Sequence, residues 1–526
     1  MPDRLSSLDA SFLAIEDAVS HMHIGSIHVF EGPPPPHEHL LEAIESKLHL
    51  VPRYRQVVRR VPYALGRPVW VDDSHFNLEY HVRRTALPAP GGEPELRRLV
   101  GRLMSQQLDR SKPLWEIWVV EGLEDSRWSM VCKAHHCLVD GVAGTELLAA
   151  IMDLSPEPSP RLAEEWHPER TPSGVELVVG ALRSVPARPL AAAGVLRAAA
   201  GRPRDAAARL LEVGLGSLAL AGVFRHAPAL SINGPIGPHR RYAWASAQVD
   251  DVRRIRKGLG GTFNDTVLAA VTAGLRALLV ARGEDTDRTL RTMVPVSVRA
   301  RDAAGMAVGD RTFNNKVSAM FADLPVNLDD PVERLRAISV QMAGLKQSNE
   351  AVAGEALTSL AGFAPPMLLS LGTRLLTGAA VRGINTVTTN VPGPQLPLYT
   401  LGRRMLKAFP YVPLAENLRV AVAIFSYDGQ LTFGVTADYD TVPDIEVITA
   451  GIEHGLEELR ARAEPEVALS AAAERDGEQL RPARRRRATG RLQRGGKQLE
   501  AQRVAGNHRT PARPAGRDRE KGRADG

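Results

Sequence analysis

The stretch His135-His136-Cys137-Leu138-Val139-Asp140-Gly141 joins a predicted strand to a predicted helix. Residues 128–134 upstream are apolar enough for a mostly buried strand, and residues 142–154 downstream carry apolar side chains at helical spacing. Strand-to-helix junctions are where α/β proteins usually build their sites. The stretch therefore predicts an α/β fold with a functional site at this turn.

Side-chain alternation along the strand separates the two histidines. His136 shares a face with Cys132, whereas His135 shares the opposite face with Lys133. Two adjacent histidines on opposite faces are poorly placed to share one task, so we expect them to have different roles.

The chemistry of the turn leaves several interpretations open. His136 is either a general base, since imidazole accepts a proton near neutral pH, or a structural residue at a strand end. Asp140 either orients such a base, supports the turn or caps the following helix. A zinc site is a third option. Because His135 and His136 face apart and no Cys or Glu cluster adds ligands, we expect no metal.

Composition limits the class of protein. The 526 residues are enough for two or three domains and a large core, and the net charge of +6 owes much to arginine runs near the C-terminus. That basic region has no aromatic residue and the chain no nucleic-acid-binding motif, so we expect no nucleic acid partner. Two cysteines, Cys132 and Cys137, fit a reduced intracellular protein.

The sequence shows neither a secretion signal nor a clear transmembrane span. The N-terminus lacks a basic region followed by an apolar run, so we expect a cytoplasmic protein that is not secreted. The longest apolar tracts, 210–224 and 357–381, do not predict clean transmembrane spans, because the first is short and the second contains Pro365, Pro366 and Arg374. Each is either an interfacial helix, a wall of an apolar pocket or a core helix.

Patterning divides the chain into four parts. Residues 1–155 predict an N-terminal α/β unit, and the proline-broken, Ala- and Arg-rich residues 156–238 predict a helical interdomain crossover. Residues 239–462 predict a second α/β unit. Residues 463–526 lack aromatics and predict a disordered basic tail.

Individual elements follow from local periodicity and turn residues. In the first unit we expect strands at 23–30 and 113–120, the latter antiparallel to the histidine strand, helices at 39–48 and 95–107, and short extended segments at 70–71 and 79–82. In the second unit we expect strands at 244–249, 292–298, 316–321 and 386–394, helices at 263–282 and 332–346, and a hairpin over 418–438 turned by Asp428-Gly429.

Other catalytic systems lack their motifs. There is no Gly-x-Ser-x-Gly elbow, no phosphate-binding loop and no dinucleotide fingerprint after a strand. This argues against the usual α/β serine hydrolases and the commonest kinases, ATPases and dehydrogenases. A base without a nucleophilic residue or bound cofactor suits direct transfer, in which an acceptor is deprotonated and attacks an activated carbonyl.

The seven-residue stretch matches the His-His-x-x-x-Asp-Gly motif of acyl-CoA-dependent acyltransferases built like chloramphenicol acetyltransferase, a motif also found in condensation domains. The ordered set of further segments, spanning about 3–460, resembles the bacterial wax ester synthase/diacylglycerol acyltransferase family. These segments are Leu5–Asp9 with Phe12-Leu13, Pro113–Glu116, Asn233–Ile236 with His239–Arg241, Phe263–Leu268, Pro295–Arg299 and Asn390–Pro394.

The resemblance implies two chloramphenicol acetyltransferase-like domains with a substrate tunnel at their interface. It implies that His136 is the general base that deprotonates an acceptor hydroxyl, which then attacks the acyl-CoA thioester. His135 then supports the site, Asp140 holds the turn, and Gly141 allows close packing there.

Two further segments supply candidates for the site, one of them as a donor for the oxyanion of the tetrahedral intermediate. Asn264 is the first candidate, because the Asn264-Asp265 pair resembles a family motif expected near the histidine. Alternatively, Asn264 or Asp265 only caps its helix. Asn390 is a candidate for the tunnel lining.

The function implied is formation of triacylglycerol from acyl-CoA and diacylglycerol. Wax ester synthesis on long-chain alcohols is the alternative, and a non-catalytic lipid-binding paralogue is the rival, which the intact His136 and Asp140 disfavour. Acyl-CoA is a substrate, and no cofactor is expected. Peripheral attachment to a membrane or lipid droplet is expected, with the basic tail either strengthening it or simply solvated.

Overall fold

Two mixed β-sheets organise the chain, since its strands concentrate large apolar side chains that need a covered face. The computed structural model describes residues 2–138, 152–157, 165–184, 227–297, 317–347 and 383–464. Met1–Glu464 form one unit. The predicted α/β class with mixed sheets is confirmed.

The strands are β1 (His23–Phe30), β2 (Gln56–Arg59), β3 (Val69–Asp72), β4 (Val82–Ala86), β5 (Trp115–Leu123), β6 (Arg127–His135), β7 (Arg240–Gln248), β8 (Leu290–Ser297), β9 (Val317–Leu324), β10 (Thr386–Pro392), β11 (Tyr399–Thr400), β12 (Arg403–Tyr411), β13 (Val420–Tyr427) and β14 (Gln430–Asp438). The helices are α1 (Ser7–Ile15), α2 (His37–Glu45), α3 (Leu78–His81), α4 (Glu93–Met104), α5 (Gly174–Ser184), α6 (Val249–Leu259), α7 (Phe263–Ala281) and α8 (Pro331–Gln347). Residues 445–464 are also helical.

The first sheet has the strand order β11-β12-β1-β6-β5-β4 and places the histidine strand at its centre. β6 is antiparallel to β1 on one side, with His135 opposite His23, and antiparallel to β5 on the other, with Ala134 opposite Trp115. The predicted antiparallel pairing of β5 and β6 is confirmed.

One strand of the first sheet comes from the far half of the chain. β12 pairs antiparallel with β1, and Phe409 lies opposite Ile27. Phe409 and Tyr411 join the apolar cluster that covers this face of β1 and β6. The first sheet is therefore completed by residues that the predicted division assigned to the second unit, 239–462.

The second sheet has the order β7-β14-β13-β10-β8-β9 and covers the largest apolar core. Its β13–β14 hairpin turns at Asp428-Gly429, as predicted; both residues have positive φ, as a tight two-residue hairpin turn requires. Within the described part of the chain, α7 is the helix long and apolar enough to cross a membrane, and 67% of its most apolar window is buried in this core.

The two sheets meet where β12 approaches β7 and β14. The ring of Trp244 stacks on Phe409 at 4.3 Å between centroids, and the Tyr242 hydroxyl donates to the Pro410 carbonyl oxygen at 2.7 Å. A Cβ on Gly434 would overlap that carbonyl. Glycine at this position therefore permits the close approach of the two sheets.

Two local predictions are wrong. Residues 79–81 are helical rather than extended, because the Asn77 side chain caps α3 by accepting from the Glu79 amide at 2.9 Å. The last residues of the helix predicted over 142–154 are not helical. Asp153 instead pairs in a β-bridge with Tyr399.

Some predictions lie outside the described residues. In the predicted crossover Gly174–Ser184 is a helix, whereas 185–226, with the apolar tract 210–224, are not described. The tract 357–381 and the tail from 465 lie outside as well.

The N-cap of α7 is Thr262, not Asn264 or Asp265. The Thr262 hydroxyl accepts from the Asp265 amide at 3.2 Å, and the Asp265 carboxylate accepts from the Thr262 amide at 2.8 Å. This reciprocal capping box binds Asp265, which is buried, to the helix start. Asn264 takes no part in it.

Replacing Thr262 by alanine should lower the free energy of unfolding by about 1 kcal/mol, because one buried helix amide loses its acceptor. Denaturant titration of the full chain measures the change, and Thr262→Ser, which keeps the hydroxyl, should stay close to wild type. Equal stability of wild type and Thr262→Ala would contradict the capping role.

Candidate active site

The two histidines end β6 between backbone partners from both neighbouring segments. The His135 amide donates to the Leu114 carbonyl at 2.9 Å, just before β5. The His136 amide donates to the Met22 carbonyl at 2.8 Å, just before β1. The residues before β1 and β5 therefore fix where the turn leaves the sheet.

The side chains along β6 alternate between the two faces of the sheet. Lys133 donates to the Leu103 carbonyl at 3.0 Å at the end of α4, whereas Cys132 packs against the cluster on the other face. The rings of the two histidines accordingly have different neighbours. His136 is half-buried and stacks on Phe12, with centroids 4.0 Å apart and planes 15° from parallel.

His135 is fully buried beside a carboxylate that comes from the end of α1. Its Nε2 lies 3.3 Å from Glu16 Oε2, and its Nδ1 accepts from the Cys137 amide at 3.1 Å. Because Nδ1 is an acceptor here, the hydrogen-bond pattern assigns the ring proton to Nε2, facing Glu16. His135 therefore links the Glu16 carboxylate to the backbone of the turn.

Glu16 has two more cationic or polar partners. Its Oε1 lies 3.3 Å from His23 Nε2, and the Arg110 Nε donates to Oε2 at 3.0 Å. Burial by itself raises the pKa of this carboxyl, but the hydrogen bonds from His135, His23 and Arg110 outweigh it and hold the pKa well below its ordinary value. Glu16 is therefore a carboxylate although it is buried.

His23 completes the group as an uncharged ring. Burial lowers its pKa to about 3, against the opposing effect of the Glu16 carboxylate. Glu16 also forms an ion pair with the Arg110 guanidinium, which places a positive charge beside the carboxylate.

One helix supplies a contact to each histidine. Phe12 and Glu16 lie four residues apart, so they project from the same side of α1 and its C-terminal cap. The Ser6 side chain caps the start of this helix by accepting from the Asp9 amide at 3.0 Å. The Leu5–Asp9 segment therefore builds the helix that contacts both rings.

The remaining predicted residues fall into two groups. Asp140 and Gly141 lie outside the described residues. Asn264 and Asn390, which the sequence leaves in separate segments, are brought together: the Asn390 Nδ2 donates to the Asn264 Oδ1 at 3.3 Å. Asp265 is occupied in the helix cap.

The sequence did not identify Phe12, Glu16, His23 or Arg110 as residues of the site. The available signals were the Phe12–Glu16 spacing and the His21-x-His23 pair at the start of β1, but neither points to the histidine turn without the fold. Among the residues that the structure describes, no group of three or more His, Cys, Asp or Glu side chains is arranged to hold a metal ion.

Comparison with known proteins gives two family matches. Residues 5–267 match the wax ester synthase/diacylglycerol acyltransferase catalytic domain, and residues 313–460 match the C-terminal domain of the same family. A putative diacylglycerol O-acyltransferase of Mycobacterium bovis is 39% identical over 467 residues, covering 87% of this chain and 96% of the relative. A probable diacylglycerol O-acyltransferase of Mycobacterium tuberculosis matches with the same identity and coverage.

Solved structures agree with these matches. The wax ester synthase/diacylglycerol acyltransferase from Marinobacter aquaeolei VT8 superposes with a TM-score of 0.62 at 27% identity, covering 88% of this chain and all of that structure. The first condensation domain of the CDA synthetase, at 16% identity and a TM-score of 0.54, covers 88% of this chain and 97% of its own and shows the same fold. The chain is a member of the wax ester synthase/diacylglycerol acyltransferase family.

Proposed function

We propose that the protein transfers an acyl group from acyl-CoA to the hydroxyl of diacylglycerol, releasing triacylglycerol and free CoA. The observation that carries this proposal is the His135-His136 turn, built into the first sheet of a chain matched by both domains of the family. The mycobacterial relatives named as diacylglycerol O-acyltransferases support diacylglycerol as the acceptor. Long-chain alcohols are the second candidate acceptor, because the family name covers both reactions.

In the proposed reaction His136 takes the proton of the acceptor hydroxyl. The oxygen attacks the thioester carbonyl, an ester C–O bond forms and the C–S bond breaks, and the proton passes to the departing CoA thiolate. The stack on Phe12 restricts the rotation of the His136 ring and so supports this role. The proposed reaction needs acyl-CoA and the acceptor as substrates and no cofactor.

Glu16 and His135 are proposed as positioning residues rather than catalytic ones. The carboxylate holds the Nε2 proton of His135, so that Nδ1 stays free to accept from the Cys137 amide. This fixes the backbone immediately after His136. Asp140 is proposed to hold the following part of the turn.

Asn264 is proposed to donate to the oxyanion of the tetrahedral intermediate. The Asn390 Nδ2 donates a hydrogen bond to the Asn264 Oδ1. This bond orients the Asn264 side chain and leaves its Nδ2 hydrogens for another acceptor. Asn390 thereby gains a proposed role in orienting Asn264, beside its proposed place in the tunnel lining.

Peripheral attachment to a cytoplasmic membrane or lipid-droplet surface is proposed because both candidate acceptors are lipids. α7, the described helix that could span a bilayer by length and composition, is mostly buried in the core and does not supply that attachment.

The proposal is tested by offering purified enzyme palmitoyl-CoA with diolein and hexadecanol in competition, and separating the lipid products by chromatography. Triacylglycerol is expected as the main product. His136→Ala should abolish CoA release while circular dichroism stays unchanged, and His454→Ala, an exposed histidine, should behave as wild type. Retained turnover in His136→Ala would refute the general-base role.

Glu16→Gln should lower kcat by on the order of tenfold with little change in the KM for palmitoyl-CoA, because the turn loses its fixed geometry. Glu121→Gln, which breaks a partly exposed ion pair with Arg84, is the matched control. Unchanged kcat in Glu16→Gln would contradict the positioning role.

The same variant has a distinct pH signature. The pKa of Glu16 is lower in the folded protein than its ordinary value of 4.5. Its contribution to stability is therefore complete above pH 4.5 and declines as the pH falls toward the folded pKa. The difference in unfolding free energy between wild type and Glu16→Gln should shrink over that acid range.

Asn264→Ala should reduce kcat by about 10²- to 10³-fold if its amide donates to the oxyanion. Asn390→Asp keeps the side-chain size but replaces the donor by an acceptor, so it should turn the Asn264 amide around and cost nearly as much. Steady-state kinetics with palmitoyl-CoA measure both. If Asn390→Asp keeps wild-type kcat while Asn264→Ala does not, the orienting role fails.

A further inference from the structure

The helix α5 has apolar residues on two sides, and the fold uses one of them. Leu177 and Ala181 are buried against the valines of the β2–β3 ribbon, including Val57 and Val69. On the other side Val175 is 74% exposed and Leu182 54% exposed, with Val179 between them also exposed. Positions 175, 179 and 182 fall on one helical stripe, so this side of α5 is an apolar surface without a partner among the described residues.

The turn between β2 and β3 extends this surface. Pro62 lies beside Gly174 and Gly66 beside Ala181, so the turn runs along α5. At its tip Tyr63 is 87% exposed, and Leu65 is exposed as well. We use the name apolar patch for these five side chains: Tyr63, Leu65, Val175, Val179 and Leu182.

Three arginines beside the apolar patch have no ion-pair partner among the described residues. Arg59 and Arg60 enter the turn, and Arg183 follows Leu182; all three are exposed. None of them forms an ion pair within the described ranges of the chain, whereas Glu176 on α5 is paired with Arg170. Residues 46–71, which contain the whole ribbon turn, include lysine and arginine but no aspartate or glutamate.

We infer that the apolar patch and its three arginines dock the protein on an anionic phospholipid surface. The apolar side chains enter the acyl region, the tyrosine sits at the headgroup level, and the arginines pair with lipid phosphates. The inference deepens the proposed function and rests on it for the reason why a lipid surface is needed. An anionic lipid surface is favoured because the patch combines exposed apolar side chains with arginines that have no acidic partner in the described part of the chain. Acyl chains match the apolar side chains, and negatively charged headgroups match the arginines.

A site-specific probe separates this docking from attachment by the basic tail, which all variants share. When Val179→Cys carries an environment-sensitive fluorophore, the emission maximum should shift to shorter wavelength on mixed phosphatidylcholine/phosphatidylglycerol vesicles. Nitroxides on the lipid acyl chains should quench that emission. Val340→Cys, at a 76% exposed valine on α8, is the matched control and should show neither change. No shift at 179, or equal shifts at both positions, would overturn the inference.

Substitutions test the two components separately. Tyr63→Ser with Leu182→Ser should weaken vesicle binding by on the order of tenfold, and Arg59→Gln with Arg60→Gln should do so to a similar extent on anionic but not on pure phosphatidylcholine vesicles. If the apolar patch is instead covered by another part of the same chain, Tyr63→Ser with Leu182→Ser will lower the melting temperature and leave vesicle binding unchanged, which also overturns the inference.

Turnover in detergent distinguishes this inference from the proposed function. Both double variants should transfer acyl groups at the wild-type rate when palmitoyl-CoA and diolein are dispersed in detergent, and should lose rate when diolein is supplied in anionic vesicles. The Val179→Cys probe could respond to vesicles while the wild-type protein transfers no acyl group in detergent. That result would refute the proposed reaction and would leave the docking inference supported.

Discussion

The buried carboxylate of Glu16 is the constraint around which the candidate site is assembled. A carboxylate taken out of water is costly unless charge and hydrogen bonds compensate it, and here the compensation comes from three separate parts of the chain. His23 begins β1, Arg110 precedes β5, and His135 ends β6. The contacts that compensate the Glu16 carboxylate therefore hold α1 and the segments at three strand ends in place around the histidine turn.

That arrangement gives the two histidines unequal surroundings. His135 is enclosed, with one ring nitrogen facing Glu16 and the other accepting from the backbone. His136, one residue further, is only half-buried and packs on an aromatic ring. A fully enclosed residue is suited to support, and the more open neighbour is suited to meet a substrate.

Local periodicity predicted the elements that local forces decide. β1, the start of α7 and the Asp428-Gly429 hairpin all carry strong short-range signals, and the structure has them where expected. Prediction failed at one short-range cap, because Asn77 starts a helix where a strand was expected. It also failed where distant residues decide, since the pairing of β12 with β1 joins segments that no local pattern relates.

The candidate site shows the same division. His135 and His136 were predictable, because a motif names them. Glu16 was not, since its importance comes from contacts to residues far along the chain, and the hydrogen bond between Asn264 and Asn390 spans 126 positions. The roles of Asp140 and Gly141 stay predictions, because these residues lie outside the described part of the chain.

The return of β12 to the first sheet also bears on the order in which the protein is made. On a ribosome, β1 emerges long before β12, so the edge that β12 will cover waits unpaired while most of the chain is synthesised. The catalytic-domain match ends at residue 267, well before that strand. The boundary between the two family domains is thus a boundary in sequence but not in folding, and the nascent first half must be kept from pairing with other chains until its last strand arrives.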